Sequence, residues 1–488
     1  MVGDVAGGPA RPPVRDMMRL GLVLALGGLL VVVDTTVTVV AVPAMVAGLD
    51  STLAAVQWVT TAYLLGIVAV IPLAGWASER FGARRVYLVA LGVFTVFSVA
   101  AGLAGNAVTL AVFRALQGVG GGLLNPVGQA IGMRAVAPDR RGRLMAMLGL
   151  PLIVGPVLGP PLSGWLVDAA SWRWVFLINL PVGALAMLLC ARFLPREATP
   201  GFPVRRIDWA GLALLPVGGT GIVLGCTLIP HASGAAFLAA GLLLVVVFVV
   251  RAVRVAAPLV DVRLFKGRLF ATGVGVLTAF GAAYFGALTV LPLFVQGVRG
   301  DPAALAGALG VPAAIGVGVT VQVATRLVDR VAPRRVALTG VTLGLVAMVG
   351  LVAATTTNSP YGLIVAAATL LGVASGATIL PTMTAAVRDL PANELPAATT
   401  LLALTQQLAA AAGVAVVATV LGVALDGPTG GGGVAAMLAL DPGARSAAEA
   451  DLAVGVGSAY GVGTLLMVVA VVVAVRVPQR VDREHVRQ

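Results

Sequence analysis

The stretch LGLVLALGGLLVVVDTTVTVVAV, Leu20–Val42, decides how the chain folds. It is apolar for long enough to cross a bilayer as a helix, which takes roughly 20 residues. One charge, Asp34, interrupts it. A carboxylate in hydrocarbon costs at least ~2.5 kcal/mol on insertion scales, because desolvation penalises its charged form. Asp34 is therefore a candidate to bind and release a proton, with the remaining helices forming a cavity around it. The plainer alternative is a carboxylate satisfied permanently by Thr35, Thr36, Thr38 or a nearby Arg.

Composition extends this reading to the whole chain. Hydrophobic residues make up 59% of the 488 positions and charged residues 11%, against about 25% charged in a soluble domain. The chain reads as an all-α polytopic membrane protein. The apolar runs give about fourteen spans. The first six are Leu20–Val42, Val56–Trp76, Val86–Leu103, Ala107–Gly132, Leu144–Val167 and Trp174–Leu194. Two follow at Trp209–Ile229 and Ala235–Val250, then six more from Leu269 to Val475. Segment Asp426–Asp451, with Gly430–Gly433, reads as a flexible external loop.

The net charge of +12 is a matter of orientation. Arginines crowd alternate connections, as at Arg80, Arg84, Arg85 and Arg140, Arg141, Arg143, while the opposite set holds Arg173, Arg299 and Arg445. By the positive-inside rule the crowded connections and both termini are cytoplasmic, so an even number of spans is expected. This distribution argues against nucleic acid as a partner. A nucleotide-binding Walker A loop is excluded, since the single lysine, Lys266, precedes Gly267 rather than Ser or Thr. No cofactor and no metal site is expected. The energy source implied is an ion gradient.

A repeat organises the halves. Glu79-Arg80 followed by Arg84-Arg85 recurs 250 positions later as Asp329-Arg330 followed by Arg334-Arg335. Duplication predicts a six-helix bundle over 1–194, an inserted helix pair over 195–268, and a second six-helix bundle over 269–488.

Arg114 is the second charge inside an apolar run. It falls roughly 10 Å below one face, and Asp34 roughly 21 Å above the other in a core ~30 Å thick. The two reach similar depths and can pair. Arg114 opens a glycine-dense string, Arg114–Gly122, suited to close helix approach. Gly155-Pro156-Val157-Leu158-Gly159-Pro160-Pro161 combines a small-residue face with bends. Polar residues on apolar runs, Gln57, Gln117, Asn125, Gln296, Gln406 and Gln407, are candidates to line a cavity, though each could equally hydrogen-bond between helices.

Taken together these strings resemble the major facilitator superfamily, and within it the fourteen-span drug:proton antiporters. Gly75-Trp76-Ala77-Ser78-Glu79-Arg80-Phe81-Gly82-Ala83-Arg84-Arg85 resembles the superfamily's cytoplasmic loop motif, with Glu79 where Asp is usual and Ala83 where a basic residue is usual. Leu110–Gly122 is similar to the fourth-helix motif, and Gly155–Pro161 to the antiporter motif with Pro160 in place of a second Gly. Asp34-Thr35-Thr36-Val37 with Ala41-Val42-Pro43 resembles the first-helix motif, and Trp172–Gly183 a run typical of the branch. The resemblance implies alternating access between two bundles, each built of six helices. It also implies export of small amphipathic drugs or antibiotics in exchange for protons across a bacterial cytoplasmic membrane. Asp34 and Arg114 would couple the proton, and Gly75, Glu79, Arg80, Gly82, Arg84, Arg85, Asp329 and Arg330 would gate the cytoplasmic side. A monomer is expected. A carrier of a different metabolite or nutrient stays open as a rival. A membrane-embedded transferase is more remote, because no catalytic cluster is visible.

Overall fold

A computed structural model describes residues 14–135, 144, 147–148, 150–195, 208–228, 232–255, 262–327, 331–357, 359–388, 390, 394–430 and 433–479. Within them the chain is helical throughout. Twelve helices are long and apolar enough to cross a membrane, thirteen if one bent pair counts as a span. The fifth expected span is the 20-residue helix Leu150–Ala169.

The first six expected spans become α1 (Val14–Gly48), α2 (Leu53–Val70) with α3 (Leu73–Phe81), α4 (Ala83–Gly102), α5 (Ala107–Ala135), α6 (Leu150–Ala169), and α7 (Trp174–Leu177) with α8 (Asn179–Phe193). The inserted pair is α9 (Trp209–Thr227) and α10 (Ala232–Arg254). Then follow α11 (Arg268–Leu288), α12 (Val290–Leu293), α13 (Ala303–Leu327), α14 (Pro333–Thr356), α15 (Tyr361–Ala386), α16 (Leu395–Asp426), α17 (Gly433–Ala439) and α18 (Pro442–Val475).

Two expectations need correction. The second span is not straight: α2 and α3 meet at 56°. Pro72 lacks an N–H and its ring crowds the carbonyl four residues back, which breaks the ladder there. The sixth span keeps its expected course over Trp174–Phe193, with a one-residue break in its hydrogen-bond ladder at Ile178, where Pro181 leaves the Leu177 carbonyl without its helical donor. Asp426–Asp451 is not a flexible loop. It holds α17 and the first turns of α18, whose N-cap Asp441 accepts from the Ala444 N–H at 2.8 Å with Pro442 in the first turn. Met437 of α17 is fully buried.

Packing positions the polar site. α5 lies between α2 and α4, and α6 between α1 and α13. The inserted pair forms a hairpin whose α9 touches both α2 and α16. One large apolar cluster joins the C-terminal half of α1 to the ends of α2, α4 and α5 beside it and to α11, α14, α15 and α18. A second joins the opposite ends of α1, α2, α4 and α5 to α9, α10 and α16. Between these two apolar layers sits a group of buried polar side chains.

Candidate functional site

Asp34 is fully buried near the middle of α1. The threonines beside it do not satisfy its carboxylate. Thr35 and Thr38 donate to the Val31 and Asp34 backbone carbonyls at 2.8 and 2.6 Å, and Thr36 to that of Val33 at 2.9 Å. Hydroxyls one turn along a helix commonly return to its carbonyls in this way.

The carboxylate is held instead by three side chains from two other elements. Arg114 Nη1 of α5 forms an ion pair and hydrogen bond with Asp34 Oδ2. Gln117 Nε2, one turn further along α5, donates to Oδ1 at 2.8 Å. Asn179 Nδ2, at the start of α8, donates to the same oxygen at 2.8 Å. Arg114 also donates through Nη1 to Gln117 Oε1 at 2.8 Å and through Nε to the Val59 carbonyl at 3.2 Å. Its guanidinium lies over the Tyr63 ring, 4.1 Å from the centroid. Its Nη2 is buried with no hydrogen-bond partner.

Glycines make this convergence geometrically possible. A Cβ on Gly118 would sit 2.2 Å from the Tyr63 carbonyl oxygen, and one on Gly120 2.5 Å from the Phe94 nitrogen. These two positions let α5 press on α2 and α4 at once. On the other side of α1, a Cβ on Gly159 would meet Thr36 Oγ1 at 2.0 Å. Gly155 behaves the same way against Val32, its carbonyl accepting from Thr36 at 3.3 Å. Pro156 continues the α6 backbone between them.

Chemically the site is built for an anion. Every polar contact to the carboxylate is a donor, and two donors share Oδ1. A protonated carboxyl is itself a donor and needs an acceptor, yet Gln117 Oε1 already accepts from Arg114. Loading a proton in this arrangement therefore requires Arg114 or an amide to move.

The other sequence candidates divide. Gln57 lines a cavity with Thr60, Thr289 and Val414, between α2 and the later helices. Its space is about 20 Å³, room for a water but not for a drug. Gln117 belongs to the charged cluster rather than to a cavity wall. Gln296 is half-buried and donates to the Val40 carbonyl of α1 at 3.4 Å. Asn125 is exposed on α5, with its Oδ1 facing Gly28. Gln406 and Gln407 are half-buried on α16, about two turns before Val414. Asn179 and Ser98 were not singled out from sequence. A neutral polar residue in an apolar run was their only signal.

In the loop motif Gly82 has φ +84°, a conformation that favours glycine, and turns α3 into α4. Arg84 reaches the last turn of α8, donating to the Ala191 carbonyl at 2.5 Å. Glu79, Arg80 and Arg85 are exposed, and so is Gly75, with nothing within 4 Å of where its side chain would start. Asp329 and Arg330 lie outside the described residues.

Comparison with known proteins agrees with this architecture. A family model described as Major Facilitator Superfamily matches residues 24–414. A "Multidrug resistance protein B homolog" of Mycobacterium tuberculosis is 33% identical over 420 residues, covering 83% of this chain and 76% of its own. A "Putative multidrug resistance protein MdtD" of Shigella flexneri is 31% identical over 408 residues, covering 82% and 85%. Among solved structures, a bacterial homolog of the human lysosomal transporter Spinster, inward-facing, superposes with a TM-score of 0.65 at 15% identity, covering 96% of this chain and 98% of its own. The xylose transporter XylE from E. coli gives 0.59 at 15% identity, covering 93% and 97%.

Proposed function

The chain belongs to the major facilitator superfamily, and from that membership we propose that it is a proton-coupled antiporter exporting amphipathic drugs or antibiotics. At the coarser level it is a transporter, not an enzyme, and a multi-pass protein of the bacterial cell membrane. Relatives carrying multidrug resistance in their names support drugs as cargo. The single observation behind proton coupling is Asp34, fully buried and held by Arg114, Gln117 and Asn179.

In this reading two six-helix bundles, 1–194 and 269–488, rock around the site, with 195–268 inserted between them. The chain crosses fourteen times and keeps both termini in the cytoplasm. A proton arriving from outside neutralises Asp34, and the charge that holds Arg114 is gone. Arg114 then shifts its remaining bonds towards the Val59 carbonyl, and α1 is released from α5. That loosening lets the bundles exchange their open face. Release of the proton inside restores the pair and resets the carrier. Cargo meets the chain along Gln57, Asn125, Gln296, Gln406 and Gln407. Glu79, Arg80, Arg84 and Arg85 close the cytoplasmic side. The protein acts as a monomer and needs no cofactor beyond the proton gradient.

The test is growth of a pump-deficient host on structurally varied antibiotics. Expression of the intact chain raises the inhibitory concentration of several amphipathic compounds, and Asp34→Asn removes the protection. Protection against none of them, with uptake of a nutrient instead, would overturn the reading.

A further inference from the structure

Asn179 is the least expected member of the site. It is 2% exposed and opens α8 directly after the break at Ile178. Its Nδ2 donates to Asp34 Oδ1 at 2.8 Å and to Ser98 Oγ at 2.9 Å. Ser98, fully buried on α4, gives its own proton to the Phe176 carbonyl at 2.9 Å. A hydroxyl has a single proton, so Ser98 can only accept from Asn179. The amide is thereby fixed with its NH₂ side towards the carboxylate. One turn further along α8 and one turn back along α4, a Cβ on Gly183 would lie 2.3 Å from Thr95 Oγ1, so α8 and α4 are held in this register.

We propose that Asn179, oriented by Ser98, is a positioning residue that sets the proton affinity of Asp34 and hence the pH range in which the carrier runs. The inference rests on the proton-carrying role proposed above for Asp34. A hydrogen bond to the charged form of an acid favours that form. Asn179 thus adds a donor to the carboxylate of Asp34 without adding a charge. Among the described residues, the ionisable groups against Asp34 are Arg114 from α5 and the phenol of Tyr63 from α2. Neutral Ser98 and Asn179 come from α4 and α8. The pH range is therefore adjustable at Asn179 while the ion pair stays intact.

The experiment uses the full chain in proteoliposomes, with ethidium as the transported probe and initial rate measured against pH. Asn179→Ala moves the midpoint of the profile upward by about one pH unit, a tenfold gain in proton affinity. Ser98→Ala moves it the same way by less, and Asn179→Gln restores part of the original position. If Asn179→Ala does not fold, as thermal denaturation in detergent would show, Ser98→Ala carries the test. A fall in rate with the midpoint unmoved, or a downward shift, overturns the inference. Asp34→Asn separates the two proposals. If that variant keeps uphill, pH-dependent transport, the proton-carrier reading fails. If it abolishes such transport while the midpoints of Asn179→Ala and Ser98→Ala stay in place, only the role of Asn179 fails.

Discussion

Arg114 and Asp34 are both fully buried, and a buried charge is tolerable chiefly when its partner is present. Removing one member strands the other, which typically costs ~3–5 kcal/mol. Arg114→Gln is therefore expected to lower the thermal stability of the detergent-solubilised protein by that order. The double variant Asp34→Asn with Arg114→Gln recovers much of the loss, because no lone charge remains. A double variant no more stable than Arg114→Gln alone would contradict the pairing. Outside the spans, Asp208 caps α9 and accepts from Gly211 N–H at 3.0 Å and from Arg251 Nη2 at 2.9 Å. Burial works against its charge, but the Gly211 N–H and Arg251 outweigh this and hold its carboxyl below the usual carboxylate range. An acid lowered in the folded state stabilises it above the unfolded value of about 3.9, and the contribution fades as pH falls through the folded one. Asp208→Asn keeps a capping side chain without the charge. Its melting temperature should lie below the parent's at pH 7, and the gap should close as pH falls through the folded carboxyl's own range.

Between residues and molecule, the helices are fitted together by missing side chains. Gly159→Leu would drive atoms into Thr36 of α1, and overpacking of this kind costs ~1–3 kcal/mol. The seam opens and transport falls. Unchanged melting and transport in that variant would show that α1 and α6 are not held this closely. Such seams explain what the sequence could and could not reveal. Ala107–Gly132 matches the expected span end to end, since apolar length is a local property. The breaks at Pro72 and Pro181 carried a signal, but proline is frequent in membrane helices and does not announce whether it kinks or breaks. Asp441-Pro442 carried a helix-start pattern, masked by the glycines of Gly430–Gly433 beside it. Asp34 and Arg114 stood out because charge in an apolar run is rare. Asn179 did not, because its partners Asp34 and Ser98 lie 145 and 81 residues away, and only the register of α1, α4 and α8 joins them.

For the molecule as a whole, one seam between the early and late helices lies at the end expected to face outward. Asp168 accepts from the Ala304 N–H at 2.8 Å, and a Cβ on Gly307 would lie 2.3 Å from the Pro160 carbonyl oxygen. α6 and α13 must part there if alternating access is the mode of transport. Asp168→Cys with Ala304→Cys, oxidised to a disulfide, is expected to arrest ethidium export, with reductant restoring it. The native Cys190 and Cys226 are both buried, which keeps the background of cross-linking low. Full export by the cross-linked protein would contradict rocking about this seam. The central claim is that Asp34 exchanges a proton for cargo, and proteoliposomes with an imposed pH gradient test it most directly. The account predicts that the native chain concentrates ethidium against its gradient while lumenal pH shifts, and that Asp34→Asn does neither. Uphill pumping by Asp34→Asn at the native rate would contradict it.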